Sequence, residues 1–267
     1  MGGFLKNEDF RYEAAAKWFV DHRTLSFQLA IAYVALIFVG QRFMKDREPI
    51  KLQRLLTVWN GFLAIFSIYG TLAVLPEWLE TWRVVGFRDS YCVSRDFFEG
   101  NNGWWTYLFV VSKLLELGDT LFLVLRKRKI IFLHWFHHAS VMLYVWHAYP
   151  HKVAAQRWGQ GINYLIHSFM YSYYFVRSLG VGTPPWLSQA LTSMQISQFM
   201  LGIGITVDIA YRVNVRRDCE SPRFTANLQL LLYVTYLLLF ANFFYQTYLK
   251  PKAGSATGEE RKKQRLN

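Results

Sequence analysis

Seven apolar stretches, each near the length a helix needs to cross a bilayer, follow one another along this chain. They run near Ser26–Phe43, Leu55–Leu79, Trp104–Leu125, Ile130–Tyr149, Trp158–Arg177, Ser188–Tyr211 and Thr225–Leu249. Hydrocarbon cannot hydrogen-bond the backbone, so runs of this length are confined to helices that satisfy their own N–H and C=O groups. Apolar residues make up 53% of the sequence, more than the charged connectors between the stretches can dilute into a soluble all-α domain. The expected fold class is therefore an all-α polytopic membrane protein with seven transmembrane helices. Residues 1–25 would precede the bundle, 26–249 would form it, and 250–267 would be a polar tail.

The formal charge of +12 is unevenly placed. Basic residues crowd into Arg126-Lys127-Arg128-Lys129 and Lys262-Lys263-Gln264-Arg265, beside apolar spans, where such clusters mark a cytosolic border or meet anionic groups. Clusters on the connectors of a membrane protein make nucleic acid an unsuitable partner. Seven spans put the termini on opposite sides, and the Lys and Arg balance of the connectors favours a cytosolic C-terminus. The first residues lack the apolar run of a cleavable signal, so the first span would direct insertion and the segment before it would be luminal. Cys92 and Cys219 fall in connectors on that same luminal side, where two free thiols and a disulfide are both open readings. The tail ends Lys263-Gln264-Arg265-Leu266-Asn267, a variant of a dilysine endoplasmic-reticulum retrieval signal or simply a solvated end.

Chemistry enters through polar groups at membrane depth, which are expensive unless they pair or work. His134, His137 and His138 share one helical face at i, i+3 and i+4. Asn163, His167 and Tyr171 form a stripe on the next span, and Lys113, Glu116, Asp119 and Thr120 crowd into the third. Gln195 and Gln198 sit one turn apart on the sixth. A structural ion pair and interhelical hydrogen bonds are the plain explanations of the last two sets. Two histidine-bearing helices in one small bundle favour a shared site. Imidazoles at this spacing also suit a metal. Only seven histidines exist in total, though, and only one box of them, so a catalytic metal is not expected.

At these residues the chain resembles the ELO family of very-long-chain fatty acid elongases. The likeness rests on Lys113-Leu114-Leu115-Glu116-Leu117-Gly118-Asp119-Thr120, on His134-Trp135-Phe136-His137-His138, on Asn163 through Tyr174, and on Thr192 through Gln198, four ordered motifs across most of the membrane region. The resemblance implies an endoplasmic-reticulum 3-oxoacyl-CoA synthase that condenses acyl-CoA with malonyl-CoA, releasing CO2 and CoA. It also implies seven helices, six of them around an acyl tunnel, with CoA entering from the cytosol, and a luminal Cys92–Cys219 disulfide. Other enzymes of the elongation cycle would be partners, and a homo-oligomer is compatible with it.

No cysteine lies in a span, which leaves histidine as the available covalent nucleophile. Spacing alone does not choose among the three box histidines; the resemblance points to His137 as acyl carrier and to His167 beside it. Asn163, His167 and His138 would stabilise the oxyanion, and His134 and His138 would orient the nucleophile and move protons. Lys113, Lys127, Arg128 and Lys129 are candidates for CoA phosphates or the malonyl carboxylate, and Glu116, Asp119, Tyr171, Gln195 and Gln198 for the cavity wall. Lys129, five residues before the box, makes the chain similar to the saturated and monounsaturated subgroup acting on C14–C18 chains, branched ones included. The competing readings are a metal-dependent membrane desaturase or hydroxylase, and a non-enzymatic receptor or lipid transporter.

Overall fold

The computed structural model describes residues 7–250. The tail motif at Lys263–Arg265 lies outside the described residues. All regular structure among those described is helical. The helices are α1 (Tyr12–Asp21), α2 (Arg23–Met44), α3 (Gln53–Val85), α4 (Gly100–Glu116), α5 (Gly118–Leu125), α6 (Phe132–Ala148), α7 (Gln156–Ser178), α8 (Pro185–Tyr211) and α9 (Arg223–Phe244). Single π-helical turns extend α8 to Arg216 and α9 to Leu249.

Four of these, α2, α3, α8 and α9 with their extensions, are long and apolar enough to cross a membrane by length and composition. Their outer faces carry large exposed apolar side chains, such as Phe27, Ile31 and Leu36 on α2 and Val58, Ile65 and Leu72 on α3. Polar and charged groups, among them Lys113, Glu116, Arg157 and Gln160, are instead buried inside. This inversion of a soluble protein's plan is what a multi-pass membrane protein requires, because lipid rewards apolar surface and the interior can satisfy polar groups. The histidines and the buried Lys113 and Glu116 sit on α4, α6 and α7, which are not among these four.

Helix neighbours trace a closed ring, α3–α4–α6–α9–α8–α7 and back to α3, with α2 outside against α5 and α6. The α3–α7 seam is the tightest. A Cβ at Gly70 would lie 2.5 Å from the Tyr164 ring, and one at Gly161 would lie 2.7 Å from Trp78, so small residues set how closely the two axes approach. Gly86 ends α3 with φ +81, a left-handed conformation that glycine takes without steric cost.

Three boundaries differ from the sequence expectation. The third span is broken at Leu117, where α4 gives way to α5 through Leu117 N–H to Leu114 O and Thr120 N–H to Leu117 O bonds, a tightened turn. The residue after it, Gly118, lies against Trp59, which a Cβ would approach to 2.9 Å. The segment before the first span is not simply a connector, because α1 packs back on the bundle through Tyr12 Oη to Tyr149 O at 2.7 Å. Its Phe19 carbonyl also accepts from Trp146 Nε1 at 3.2 Å. Finally, α3 runs to Val85, beyond the expected Leu79, despite Pro76 inside it.

At the end of the ring away from the Arg126–Lys129 turn, Cys92 and Cys219 form a disulfide with Cα atoms 4.5 Å apart. It packs with Ala148, Val153, Ala155, Trp158, Ile205, Ile209 and Ala226. Arg157, 1% exposed, pins the adjoining loop. Its guanidinium grips Glu77 at 2.8–3.1 Å and donates to the carbonyls of Ser90, Val93 (2.9 Å) and Ser94 (2.7 Å).

Candidate active site

The polar groups expected from the sequence converge inside the ring from three helices. On α4, Lys113 Nζ donates to Glu116 Oε1 at 2.7 Å, and Ser112 Oγ reaches the same oxygen at 3.2 Å. The ammonium also donates to Asn163 Oδ1 on α7 at 2.9 Å. That contact fixes the amide, since an ammonium only donates and must face the oxygen. Asn163 Nδ2 therefore points at His167 Nε2, 3.3 Å away. The imidazole accepts there, so a neutral His167 carries its proton on Nδ1, which lies 3.8 Å from Glu116 Oε1. One buried charge pair thus dictates an amide orientation and, through it, a tautomer.

The histidine box occupies the first two turns of α6, next to the basic turn. His134 Nε2 meets Thr120 Oγ1 at 2.9 Å, and Tyr33 Oη meets the same hydroxyl at 2.6 Å. His134 and His138 pack with ring centroids 4.6 Å apart. His137 differs from His134 and His167: its Nδ1 is buried, and no group among the described residues hydrogen-bonds it. Aromatic rings enclose it instead, with Tyr236 at 4.7 Å, Phe240 at 5.9 Å and Phe199 at 6.3 Å between centroids. Tyr236 is held by Ser140 at 2.8 Å across α6 and α9.

Two cavities meet at this imidazole. One, of about 390 Å³, is the more polar of the two and lies toward the basic turn, lined by Glu116, Asp119, His134, His138, His167 and Gln195 among others. The second, a narrow one of about 70 Å³, runs toward the disulfide between Phe109, Val141, Tyr144, Val145 and Tyr233, ending at Ala148, Val153 and Gln156. Among the described residues, His137 is the single one that lines both.

The remaining candidates are distributed unevenly. Asp119 accepts from Trp59 Nε1 at 2.7 Å and Tyr171 Oη at 2.8 Å, locking the α3–α5–α7 corner of the polar cavity. Gln195 lines that cavity, whereas Gln198, one turn away, lines the apolar one. Lys127 is committed elsewhere. Its ammonium donates to the carbonyls of Lys45 at 2.8 Å and Arg47 at 3.0 Å, tying the α5–α6 turn to the α2–α3 loop. Arg128 and Lys129 are exposed on the same turn. Among the described residues, no three His, Cys, Asp or Glu side chains converge as a metal site. Sequence reasoning missed Tyr236, Phe199 and Phe240, because aromatics on apolar helices carry no periodic mark that separates a site wall from a lipid face. Ser112 had a signal, four residues before Glu116.

The family model described as ELO: GNS1/SUR4 family matches residues 18–256. The chain belongs to the ELO family. It is 41% identical to long chain fatty acid elongase 1 of Caenorhabditis elegans over 87% of this chain and 81% of that protein. It is 39% identical to very long chain fatty acid elongase 6 of Drosophila melanogaster over 91% and 78% of the two chains. Against very long chain fatty acid elongase 3 of Mus musculus the identity is 38%, over 87% and 85%. In this ELO chain the four motifs, read as separate constellations in the sequence, surround one pair of cavities.

Proposed function

We propose that this protein is a fatty acid elongase of the endoplasmic-reticulum membrane, a 3-oxoacyl-CoA synthase that condenses acyl-CoA with malonyl-CoA through an acyl group carried on His137. The observation that carries this reading is the position of His137 at the junction of a polar and an apolar cavity, with Nδ1 buried and bonded to no group among the described residues. An acyl thioester bridges those two environments by its nature. Its tail belongs among Val141, Tyr144 and Val145, and its CoA portion on the side of His167 and Gln195.

In the first half-reaction a ring nitrogen of neutral His137 attacks the thioester carbon, and the C–S bond breaks. CoA leaves as the thiol after taking up the proton, and an acyl-imidazole remains. His138 and His167 on the polar cavity and Asn163 on the apolar one are the donors proposed for the oxyanion, and His134 shuttles protons. Malonyl-CoA then loses CO2 by cleavage of its carboxyl C–C bond. The resulting enolate carbon attacks the acyl carbon, the C–N bond breaks, and the product is a 3-oxoacyl-CoA two carbons longer. Arg128 and Lys129, exposed beside the cavity mouth, suit CoA phosphates, and Lys113 acts indirectly by orienting Asn163. The cycle calls for no metal or other cofactor.

The apolar cavity sets the chain-length class. From His137 to Ala148 along α6 is about 16 Å at ~1.5 Å per residue. Carbon–carbon bonds of ~1.5 Å advance an extended chain by roughly 1.25 Å per carbon, so that depth takes about 13 carbons beyond the thioester carbon. The shorter members of the C14–C18 class match that depth when extended. In this scheme seven helices, α2, α3, α4 with α5, α6, α7, α8 and α9, cross the bilayer, the ring of six encloses the acyl tunnel, the disulfide faces the lumen and the C-terminus the cytosol.

The test is malonyl-CoA-dependent elongation by the purified protein with a panel of saturated, monounsaturated and branched acyl-CoAs. Product two carbons longer is expected, together with an acyl adduct on His137 by mass spectrometry when malonyl-CoA is withheld. Absence of any elongated product, or full turnover by a folded His137→Ala variant, would overturn the reading.

A further inference from the structure

The distal half of the apolar cavity is not uniformly apolar. One face of α7 carries a polar stripe, Gln156, Gln160, Asn163 and His167, that continues from the histidines to the cavity's far end. Asn163 and His167 are accounted for by their bonds to each other and to Lys113. Gln160 is held at its nitrogen alone, donating from Nε2 to Thr106 Oγ1 at 3.2 Å. Among the described residues, both amide atoms of Gln156 are buried with no hydrogen-bond partner, and so are Oε1 of Gln160 and Oε1 of Gln229 from α9. Gln160 and Gln229 are 1% and 5% exposed, and all three line the cavity.

Burying a polar atom without a partner in an apolar environment is unfavourable, so the wholly unpaired amide of Gln156, with the free oxygens of Gln160 and Gln229, points to something polar that occupies the cavity. Gln156 offers one donor and one acceptor side by side. A hydroxyl matches that pair, accepting from Nε2 while donating to Oε1. A carboxylate would present acceptors only and an ammonium donors only, so neither satisfies both amide atoms. Along α7, Gln156 lies eleven residues from His167, about 16 Å at ~1.5 Å per residue. With the thioester carbon at His137, that depth is reached by about the fourteenth carbon of an extended chain, at roughly 1.25 Å per carbon.

We infer that the acyl cavity is built to accept acyl-CoAs whose chain ends in a hydroxyl near the fourteenth carbon, with Gln156 pairing that hydroxyl and Gln160 and Gln229 offering further acceptors nearer the histidines. The inference rests on the elongase reading above and extends its substrate class to ω-hydroxyacyl chains. A wholly apolar cavity tolerates an added hydroxyl poorly, disfavouring it by about a hundredfold, whereas a hydrogen-bonding one removes that penalty.

The experiment compares kcat/KM for full-length protein, reconstituted in lipid, with matched pairs of plain and ω-hydroxylated acyl-CoAs of twelve, fourteen and sixteen carbons. The hydroxylated-to-plain ratio is expected to peak at fourteen carbons, at one or above. In Gln156→Leu that peak should fall at least tenfold. The length series in the wild-type protein carries the test if Gln156→Leu fails to fold. A wild-type ratio of one-tenth or lower at every length overturns the inference, as does a ratio unmoved by Gln156→Leu. Plain-chain elongation with a low ratio would mean that the amides hold ordered water, and would leave the elongase reading standing. No elongation of any chain would remove both.

Discussion

The Lys113–Glu116 pair offers a test in which stability and chemistry separate. Both residues are nearly enclosed, at 4% and 6% exposure, and the ammonium sits 2.7 Å from Glu116 Oε1 and 2.9 Å from Asn163 Oδ1. Lys113→Met strands a buried carboxylate, and Glu116→Gln strands a buried ammonium. Removing one partner of a buried pair costs about 3–5 kcal/mol, whereas replacing both with neutral groups of similar volume is close to neutral. Two independent losses would sum to roughly 6–10 kcal/mol; coupled ones in the double variant should cost no more than about 2 kcal/mol. At ~2–4 °C per kcal/mol for a chain of this size, each single variant should melt about 6–20 °C lower. The double variant should melt close to wild type. Thermal unfolding in detergent, followed by tryptophan fluorescence, reads this directly. The condensation rate should not recover with stability. Without the ammonium, Asn163 is free to rotate and His167 loses its imposed tautomer, and a misplacement of ~1 Å costs on the order of a hundredfold. Additive losses of stability, or a double variant that condenses at the wild-type rate, would refute the argument from Lys113 to Asn163 to His167.

Three further outcomes are expected. The Cys92–Cys219 bond closes a sequence separation of 127 residues, so the double serine variant should lose about 2–5 kcal/mol, read as a lower melting temperature, with faster proteolysis of the loops it joins. Gly70→Leu, whose Cβ would sit 2.5 Å from Tyr164, should cost more than about 2 kcal/mol or abolish assembly, while Gly204→Ala, with nothing within 4 Å, should be close to neutral in the same melting assay. On the loop before α9, a hydrogen bond from the Arg212 guanidinium holds the Asp218 carboxyl below its ordinary range. Its stabilising contribution is complete above the ordinary carboxylate pKa and disappears as pH falls through the lowered value. Amide exchange in this loop should therefore accelerate in acid, and Asp218→Asn should show that faster exchange already at neutral pH.

How much was legible beforehand follows from what a bilayer does to a sequence. The helices could be read because lipid demands long apolar runs, and six of the seven expected segments coincide with unbroken helices. The break at Leu117 left no mark, because it depends on Trp59 from another helix lying against Gly118. The site residues could be found for the opposite reason: charge and imidazole inside apolar runs are costly enough to be conspicuous. Their grouping into one site is three-dimensional. Nothing in the linear order says that Lys113 touches Asn163, or that Lys127 is occupied by the carbonyls of Lys45 and Arg47.

The choice among the box histidines shows where the two kinds of information join. On sequence spacing, His134, His137 and His138 are equivalent members of a helical face. In three dimensions His134 is already occupied, since Thr120 and Tyr33 hold its Nε2 in a hydrogen-bonded chain suited to moving a proton. His137 has Tyr236, Phe199 and Phe240 around it, an apolar surround that favours the neutral imidazole a nucleophile must be. Among the described residues its Nδ1 has no hydrogen-bond partner, and its ring alone faces both cavities. The aromatic residues that carry no distinguishing mark in the sequence are thus the ones that distinguish the proposed nucleophile from its neighbours. Tyr236→Ala, which opens that wall, should depress condensation more than Tyr236→Phe, which removes only the 2.8 Å bond to Ser140. Equal loss in the two variants would show that the hydroxyl, and not the ring, is what His137 needs from α9.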